Sequence, residues 1–115
     1  MRTLPLALFA LACAPGTSGP RTGEFHSCDL SDSAGYCLEY DGLAADGAVA
    51  AYEAACAGGT WSEGPCETAG TLGGCMGAPE GGFTFTLTTW FSGGYPSAAA
   101  LQEGCESGGD TYLAP

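Results

Sequence analysis

The clearest pattern in the sequence is a pair of cysteine-bounded segments, CDLSDSAGYC at residues 28–37 and CETAGTLGGC at residues 66–75. Both have eight residues between their cysteines and an acidic residue after the first cysteine. Both also carry a glycine at the same position, Gly35 in the first segment and Gly73 in the second. Equal spacing of one cysteine pair can arise by chance, so the pattern has weight only if the flanking sequence repeats too.

The flanking sequence does repeat. VAAYEAAC at residues 49–56 aligns with AAALQEGC at residues 98–105, and a glycine pair followed by an aromatic residue comes after each. Several features that agree in the same order predict an internal duplication. The sequence therefore predicts a Cys-rich domain over residues 28–115, built from two units at 28–65 and 66–115.

Each unit contains one alanine-rich stretch that predicts a short helix. The first covers residues 47–57 with Asp46 as its N-cap, and the second runs from Pro96 to about Gly104. Residues 83–91, FTFTLTTWF, predict the clearest strand, because apolar and threonine side chains alternate along it. We expect one sheet face to be solvent-exposed and lined by Thr84, Thr86 and Thr88. The predicted fold is a small α+β domain, with two short helices on a modest antiparallel sheet.

Six cysteines lie in this domain, three to a unit, so pairing within the chain requires at least one bridge between the units. Two symmetric pairings are open. One joins Cys37–Cys56, Cys75–Cys105 and Cys28–Cys66, which fastens each helix to the sheet. The other joins Cys28–Cys37, Cys66–Cys75 and Cys56–Cys105, which closes both cysteine-bounded segments. Either pairing leaves no free thiol in the domain.

The apolar core is too small to hold this domain together without covalent help. Only 19 of the 88 residues from Cys28 onward are large and apolar. Domains with so little apolar surface depend on disulfides or a metal for their stability. Disulfides in turn require an oxidising compartment, so the composition predicts an exported protein.

The N-terminus has the features of an export signal over residues 1–12. Arg2 supplies a positive charge, residues 4–11 form an apolar run, and a small residue precedes Cys13. Residues 13–27 are rich in Pro, Gly, Ser and Thr, a composition that predicts a flexible tether. The sequence therefore predicts a signal peptide, a tether and one folded domain.

The residues at the expected cleavage point, Ala10-Leu11-Ala12-Cys13, resemble the lipobox of bacterial lipoproteins. The resemblance implies that Cys13 is acylated and becomes the mature N-terminus, so that a lipid anchors the protein to the membrane. It also implies a location in the outer membrane or elsewhere in the cell envelope. The alternative is an ordinary signal-peptidase cut, which would leave a secreted protein with Cys13 as a free thiol.

The chain is strongly acidic, with 13 Asp and Glu residues against 2 Lys and Arg and a formal net charge of -11. This balance argues against nucleic acid or an anionic lipid surface as a partner. From Cys28 onward there are twelve acids and no Lys or Arg, so this part of the chain contains no Lys or Arg with which its carboxylates could form an ion pair. We expect mutual repulsion among these carboxylates, and we expect the domain to gain stability as pH falls from about 7 toward about 4.

No set of residues predicts catalysis or metal binding. There is no Cys-x-x-Cys spacing for zinc and no Gly-x-Ser-x-Gly for a serine nucleophile. His26, the single histidine, lies beside the tether, where we expect it to be solvated. We expect Asp29, Asp32, Glu39 and Asp41 in surface loops, with weak calcium binding as the alternative. The sequence predicts no catalytic residue, no cofactor and no metal.

These observations predict a non-enzymatic exported lipoprotein that serves as an acidic binding or structural module of the cell envelope. It would contact the membrane through the lipid on Cys13, and no motif identifies its protein or envelope partner. The alternative is a secreted inhibitor or toxin-like peptide without lipid, which would present a rigid loop such as residues 76–82. The large aromatic residues Trp61, Trp90 and Tyr95 either pack in the core or form a recognition surface.

Overall fold

A computed structural model of the chain describes residues 23–77 and 83–115, so the predicted signal peptide, Cys13 and most of the loop at 76–82 lie outside the described residues. The elements in chain order are β1 (Phe25–Leu30), β2 (Tyr36–Asp41), a 3₁₀ helix (Leu43–Asp46), α1 (Val49–Ala55), β3 (Thr60–Ser62), β4 (Gly73–Gly77), β5 (Thr86–Phe91), α2 (Ala98–Ser107) and β6 (Thr111–Leu113). The six strands of the described residues form one antiparallel sheet, which confirms the predicted α+β fold with two α-helices. In the same ranges, no helix has the length and apolar character needed to cross a membrane.

The strand order is β3-β1-β2-β5-β4-β6, and it has the same arrangement on either side of its centre. In each half a hairpin is followed by a helix and then by a third strand, which pairs with the first strand of that hairpin at the sheet edge. The halves meet where β2 pairs with β5. This order is the one expected for two copies of a unit related by a two-fold rotation about the centre of the sheet.

One row of directly paired residues crosses the whole sheet. In spatial order it consists of Trp61, Cys28, Leu38, Thr89, Cys75 and Tyr112. Directly paired residues on neighbouring strands point to the same face. Cys28 is bridged to Cys56 at the end of α1, and Cys75 is bridged to Cys105 in α2. Both helices are therefore fastened at equivalent points to one face of the sheet, here called the helix face.

The third bridge, Cys37–Cys66, lies on the opposite face of the sheet. Cys37 comes directly before Leu38 on β2, and adjacent strand residues point to opposite faces. The thiol of Cys37 therefore cannot reach a helix that packs on the helix face. It pairs instead with Cys66 in the segment 63–72, which connects β3 to β4, and this side of the sheet is here called the loop face.

Neither of the two predicted sets of three disulfides is observed as a whole. The Cys75–Cys105 bridge is confirmed, but the predicted bridges Cys37–Cys56 and Cys28–Cys66 are wrong, and so is every bridge of the alternative pairing. The pairing corrects the alignment of the two units as well. The structural equivalent of Cys28 is Cys75 and not Cys66, because only the former two hold a helix at the same place on the sheet.

The loop face is buried at its centre, which contradicts two sequence-based expectations. Thr86 and Thr88 on β5 are 3% and 1% exposed, so the predicted solvent-exposed threonine face is wrong at these two positions, whereas Thr84, before the strand, is exposed. Glu39 and Asp41, which pair with them across β2, are buried as well and do not lie in surface loops. Apolar and threonine residues do alternate along residues 83–91. However, β5 is a central strand with both faces covered, so its polar face is not exposed to solvent.

Glu39 connects the layers on the loop face. Its Oε1 accepts a hydrogen bond from the Cys66 backbone N–H and another from the Trp90 indole Nε1–H, each at 3.1 Å. Glu39 is 2% exposed and Trp90 is 5% exposed, so both bonds are shielded from water. Gly74 makes room for the indole, since a Cβ atom there would lie 2.9 Å from the Trp90 ring. One carboxylate thus joins the central strands to the segment that covers them.

The first helix differs from its prediction. α1 begins at Val49 with Ala48 as its N-cap, because Gly47 has a left-handed φ of 64° and separates it from the preceding 3₁₀ helix. Asp46 is therefore not the N-cap of α1. Its carboxylate accepts hydrogen bonds from the backbone N–H groups of Thr84 and Phe85, each at 2.9 Å. Because these two N–H groups bond to Asp46, they do not take part in the hydrogen bonds between strands, and β5 starts after them.

The second helix and the first strand also shift relative to their predicted bounds. α2 is capped by Ser97, whose hydroxyl accepts a hydrogen bond from the Ala100 N–H, so Pro96 lies outside the helix. β1 begins at Phe25 and includes residues that we placed in the tether. His26 is not solvated as predicted: it is 8% exposed and stacks on Trp61 with ring centroids 5.7 Å apart.

We expect Glu39→Ala to lower the free energy of unfolding by about 2–3 kcal/mol, because it leaves the Cys66 and Trp90 donors buried without their acceptor. Glu39→Gln keeps an acceptor oxygen and should cost less. Urea denaturation followed by tryptophan fluorescence measures both. Glu53→Ala is the matched control, since Glu53 is exposed on α1. Equal stability of the Glu39→Ala and Glu53→Ala variants would contradict the role assigned to Glu39.

The contacts of Asp46 add a second pH effect to the repulsion among the carboxylates. Hydrogen bonds from the Thr84 N–H first, and also from Phe85, lower the pKa of Asp46 below its usual 3.8, and bonds from Ser31 lower that of Asp29. A depressed pKa contributes stability above the usual value, and that stability is lost as pH falls through the folded-state pKa. We expect the melting temperature to rise from about pH 7 toward about pH 4 and to fall below it.

The variant Asp46→Asn tests this second effect. It should melt below the parent chain at neutral pH, and the difference should shrink as pH falls below the usual aspartate value of 3.8. Thermal melts at low and at high salt from about pH 7 to about pH 2 provide the measurement. Asp32→Asn removes the same charge from an exposed turn and should not lower the melting temperature. A constant difference between parent and Asp46→Asn at all pH values would contradict the assignment.

Candidate functional site

The two-fold relation places one helix over each half of the helix face, and in the first half aromatic side chains pack between helix and sheet. Tyr40 from β2 and Tyr52 from α1 pack with ring centroids 5.0 Å apart, and Tyr52 meets Phe85 edge-on at 5.3 Å. Leu43 beneath them is completely buried. Burial first, and the neighbouring hydroxyls of Tyr52 and Tyr36 next, raise the pKa of Tyr40, so its hydroxyl stays neutral. This half supplies apolar core.

The same space in the second half is open. A cleft of about 250 Å³ lies between α2 and the sheet, and it is here called the α2 cleft. Both cysteines of the Cys75–Cys105 bridge line it. Its walls include Thr89, Phe91, Tyr95, Leu101, Gly104 and Asp110.

The cleft exists because two large residues of the first half have smaller equivalents in the second. In the row of paired residues that crosses the sheet, Thr89 of the second half has the position that Leu38 has in the first half. Leu101 precedes Cys105 by the same four residues that separate Tyr52 from Cys56. Leu101 is 1% exposed, so it is packed in the wall of the cleft and does not fill it. The two halves of the domain thus differ on this face, where the second half has a cleft.

Two aromatic rings form one wall of the α2 cleft. Phe91 and Tyr95 meet edge-on, with ring centroids 5.3 Å apart and planes at 83°. Tyr95 is 38% exposed, which makes it one of the most exposed large hydrophobic residues described. Gly104 of α2 faces this ring, and a Cβ atom there would lie 3.4 Å from it. The glycine therefore keeps the space beside Tyr95 clear.

Asp110 supplies the charge of the cleft. It lies in the turn between α2 and β6, and its backbone N–H donates to the Cys105 carbonyl at 3.1 Å. Its Oδ2 lies 3.5 Å from the Cys75 sulfur. That contact is not a hydrogen bond, because a disulfide sulfur carries no hydrogen. The carboxylate is exposed at the mouth of the cleft, and no Lys or Arg occurs anywhere beyond Arg21 to neutralise it.

The predicted aromatic surface is divided by the sheet. Trp90 is core on the loop face, and Trp61 packs on the helix face against His26 and Tyr40. Tyr95 alone of the predicted three lines the α2 cleft. The sequence analysis did not identify the other cleft residues. The signal for them is that small residues in the second unit stand at the positions of large ones in the first, and it can be seen only when the two units are aligned correctly.

The acidic cluster suggested for calcium is divided as well. Asp29 is exposed but lies in β1 and not in a loop, and its carboxylate accepts the Ser31 N–H at 2.9 Å. Asp32 is exposed in the β1–β2 turn, whereas Glu39 and Asp41 are buried. Within residues 23–77 and 83–115, no group of three or more His, Cys, Asp or Glu side chains is placed to hold a metal ion. His26 has Nδ1 3.1 Å from the Glu24 carboxylate, without hydrogen-bond alignment.

No protein-family model, no curated protein and no solved structure matches this chain.

We expect Gly104→Ala to stabilise the domain by up to about 1 kcal/mol, because alanine is the better helix former and its methyl group would make ordinary contact with Tyr95. Such a gain raises the melting temperature of a domain of this size by about 4–8 °C. Thermal melts of the parent and the variant measure it. The gain should persist in a Tyr95→Ala background. If Gly104→Ala lowers the melting temperature when Tyr95 is present but not in the Tyr95→Ala background, the methyl group clashes with the ring.

Proposed function

We propose that this chain is a non-enzymatic exported lipoprotein whose acidic, disulfide-stabilised domain binds a partner at the α2 cleft. The observation that carries the proposal is the set of three disulfides, which span both faces of the sheet. Of the six bridged cysteines, four are buried: Cys28, Cys37, Cys66 and Cys105. Disulfides this integral to a fold indicate an oxidising environment outside the cytoplasm.

The α2 cleft supports a binding role over a purely structural one. The first half of the domain fills the equivalent space with aromatic side chains and gains core, whereas the second half leaves it open. Closing it would stabilise a domain that is poor in apolar residues. An open space with an exposed aromatic ring and a carboxylate is the arrangement expected where a ligand supplies the missing contacts.

The resemblance of Ala10–Cys13 to a lipobox supports the lipid anchor in this proposal. On this basis Cys13 carries the lipid, the residues before Phe25 act as the tether, and the domain stands off the membrane surface. The negative charge of the domain keeps it from lying down on anionic lipid.

The anchor is tested by expressing the full chain with its own N-terminus in a bacterial host and partitioning the products between detergent and water. We expect the parent chain in the detergent phase and the Cys13→Ala variant in the aqueous phase or uncleaved. Intact mass should show a lipid on Cys13 of the parent. A parent protein found only in the aqueous phase, with Cys13 open to alkylation, would overturn the anchor and favour the secreted, lipid-free alternative.

A further inference from the structure

The charge of the domain limits what can occupy the α2 cleft. Asp110 lines it, and the sequence has no Lys or Arg after Arg21, so the folded domain supplies neither base to this carboxylate. We therefore expect the cation that pairs with Asp110 to come from outside the domain. The domain is acidic throughout, so an anionic ligand would meet repulsion along its whole approach.

The size of the cleft suits a single side chain better than a drug-sized ligand or a large cofactor. Its volume of about 250 Å³ lies below the roughly 300–1,000 Å³ of small-molecule sites. Tyr95 and Asp110 are both exposed at its rim, so a side chain that projects from a flat protein surface can enter without a lid moving.

The shape of the walls selects among cations. Phe91 and Tyr95 offer aromatic faces and edges in the same cleft that Asp110 lines. A guanidinium group is planar, stacks on aromatic rings and pairs with a carboxylate through two parallel hydrogen bonds, whereas an ammonium group is compact and strongly hydrated. Resting on the proposed binding function, we propose that the α2 cleft binds an arginine side chain presented by a protein partner.

The equivalent space of the first half holds Tyr40, Tyr52 and Phe85, whose rings pack against one another. The site that we propose therefore lies on the α2 side of the helix face. Acidic residues elsewhere contribute long-range attraction that is not specific to arginine and is screened by salt.

The probe is blocked arginine, N-acetyl-arginine-methylamide, titrated at physiological salt into the isotope-labelled full chain with its disulfides formed. Backbone amide shifts are followed by NMR. We expect saturable binding in the millimolar range, with shifts concentrated at Thr89, Phe91, Tyr95, Gly104 and Asp110. Blocked lysine should bind at least about threefold more weakly, since its ammonium group is not planar, cannot stack on a ring and cannot form a bidentate pair with the carboxylate.

Three variants separate the cleft from the general negative charge. Asp110→Asn should weaken arginine binding about fivefold, the upper range for an exposed ion pair. Asp32→Asn removes the same charge outside the cleft and should change it by less than about twofold. Tyr95→Ala should also weaken binding, and the amide spectrum of each variant shows whether it remains folded. Loss of binding in a folded Tyr95→Ala protein supports the stacking contact.

Several results would overturn the inference. These are shifts spread over the acidic surface without saturation, equal losses in the Asp110→Asn and Asp32→Asn variants, or equal binding of blocked lysine and blocked arginine. Each of them leaves the lipid anchor untouched, because detergent partitioning of the parent chain and its Cys13→Ala variant measures that separately. A lipid-free protein that still binds arginine in the cleft would overturn the anchor and keep the inference.

Discussion

The alternation of side chains along β2 is the constraint on which the rest of this structure depends. Cys37 and Leu38 are neighbours in sequence and must point to opposite faces of the sheet. Leu38 lies in the row that carries Cys28 and Cys75, so the two cysteine-tethered helices share its face. Cys37 is left to the other side, where it fastens the segment 63–72. Three bridges in this arrangement hold three layers together with very few large apolar residues.

Much of the fold could be predicted from the sequence, and the errors have specific physical causes. The alanine-rich stretches revealed both helices, and one of the two open pairings contained the bridge from Cys75 to Cys105, which fastens a helix to the sheet. The equal spacing of the cysteine-bounded segments misaligned the units, because spacing along a chain carries no information about which face a side chain takes. Likewise, the alternation around Thr88 could not show that segment 63–72 would cover its polar side.

The candidate site was hidden for a related reason. A cleft that arises from the difference between two copies, Thr89 in place of Leu38 and Leu101 in place of Tyr52, has no motif of its own. Asp46 was equally hard to assign, since a carboxylate before an alanine-rich stretch has the composition of a helix cap. Its actual partners are amides 38 and 39 residues away, which only the folded chain brings near.

The pairing of β2 with β5 has the geometry of a subunit interface within one chain. A two-fold axis passes between Leu38 and Thr89, and an isolated unit would offer the same strand edge to a second copy of itself. In such a homodimer both clefts would have to be identical, so a change that opened one would also empty the core of the other. Covalent fusion removes that symmetry requirement. One half can then fill the space between its helix and the sheet while the other leaves it open, without either half having to match the other.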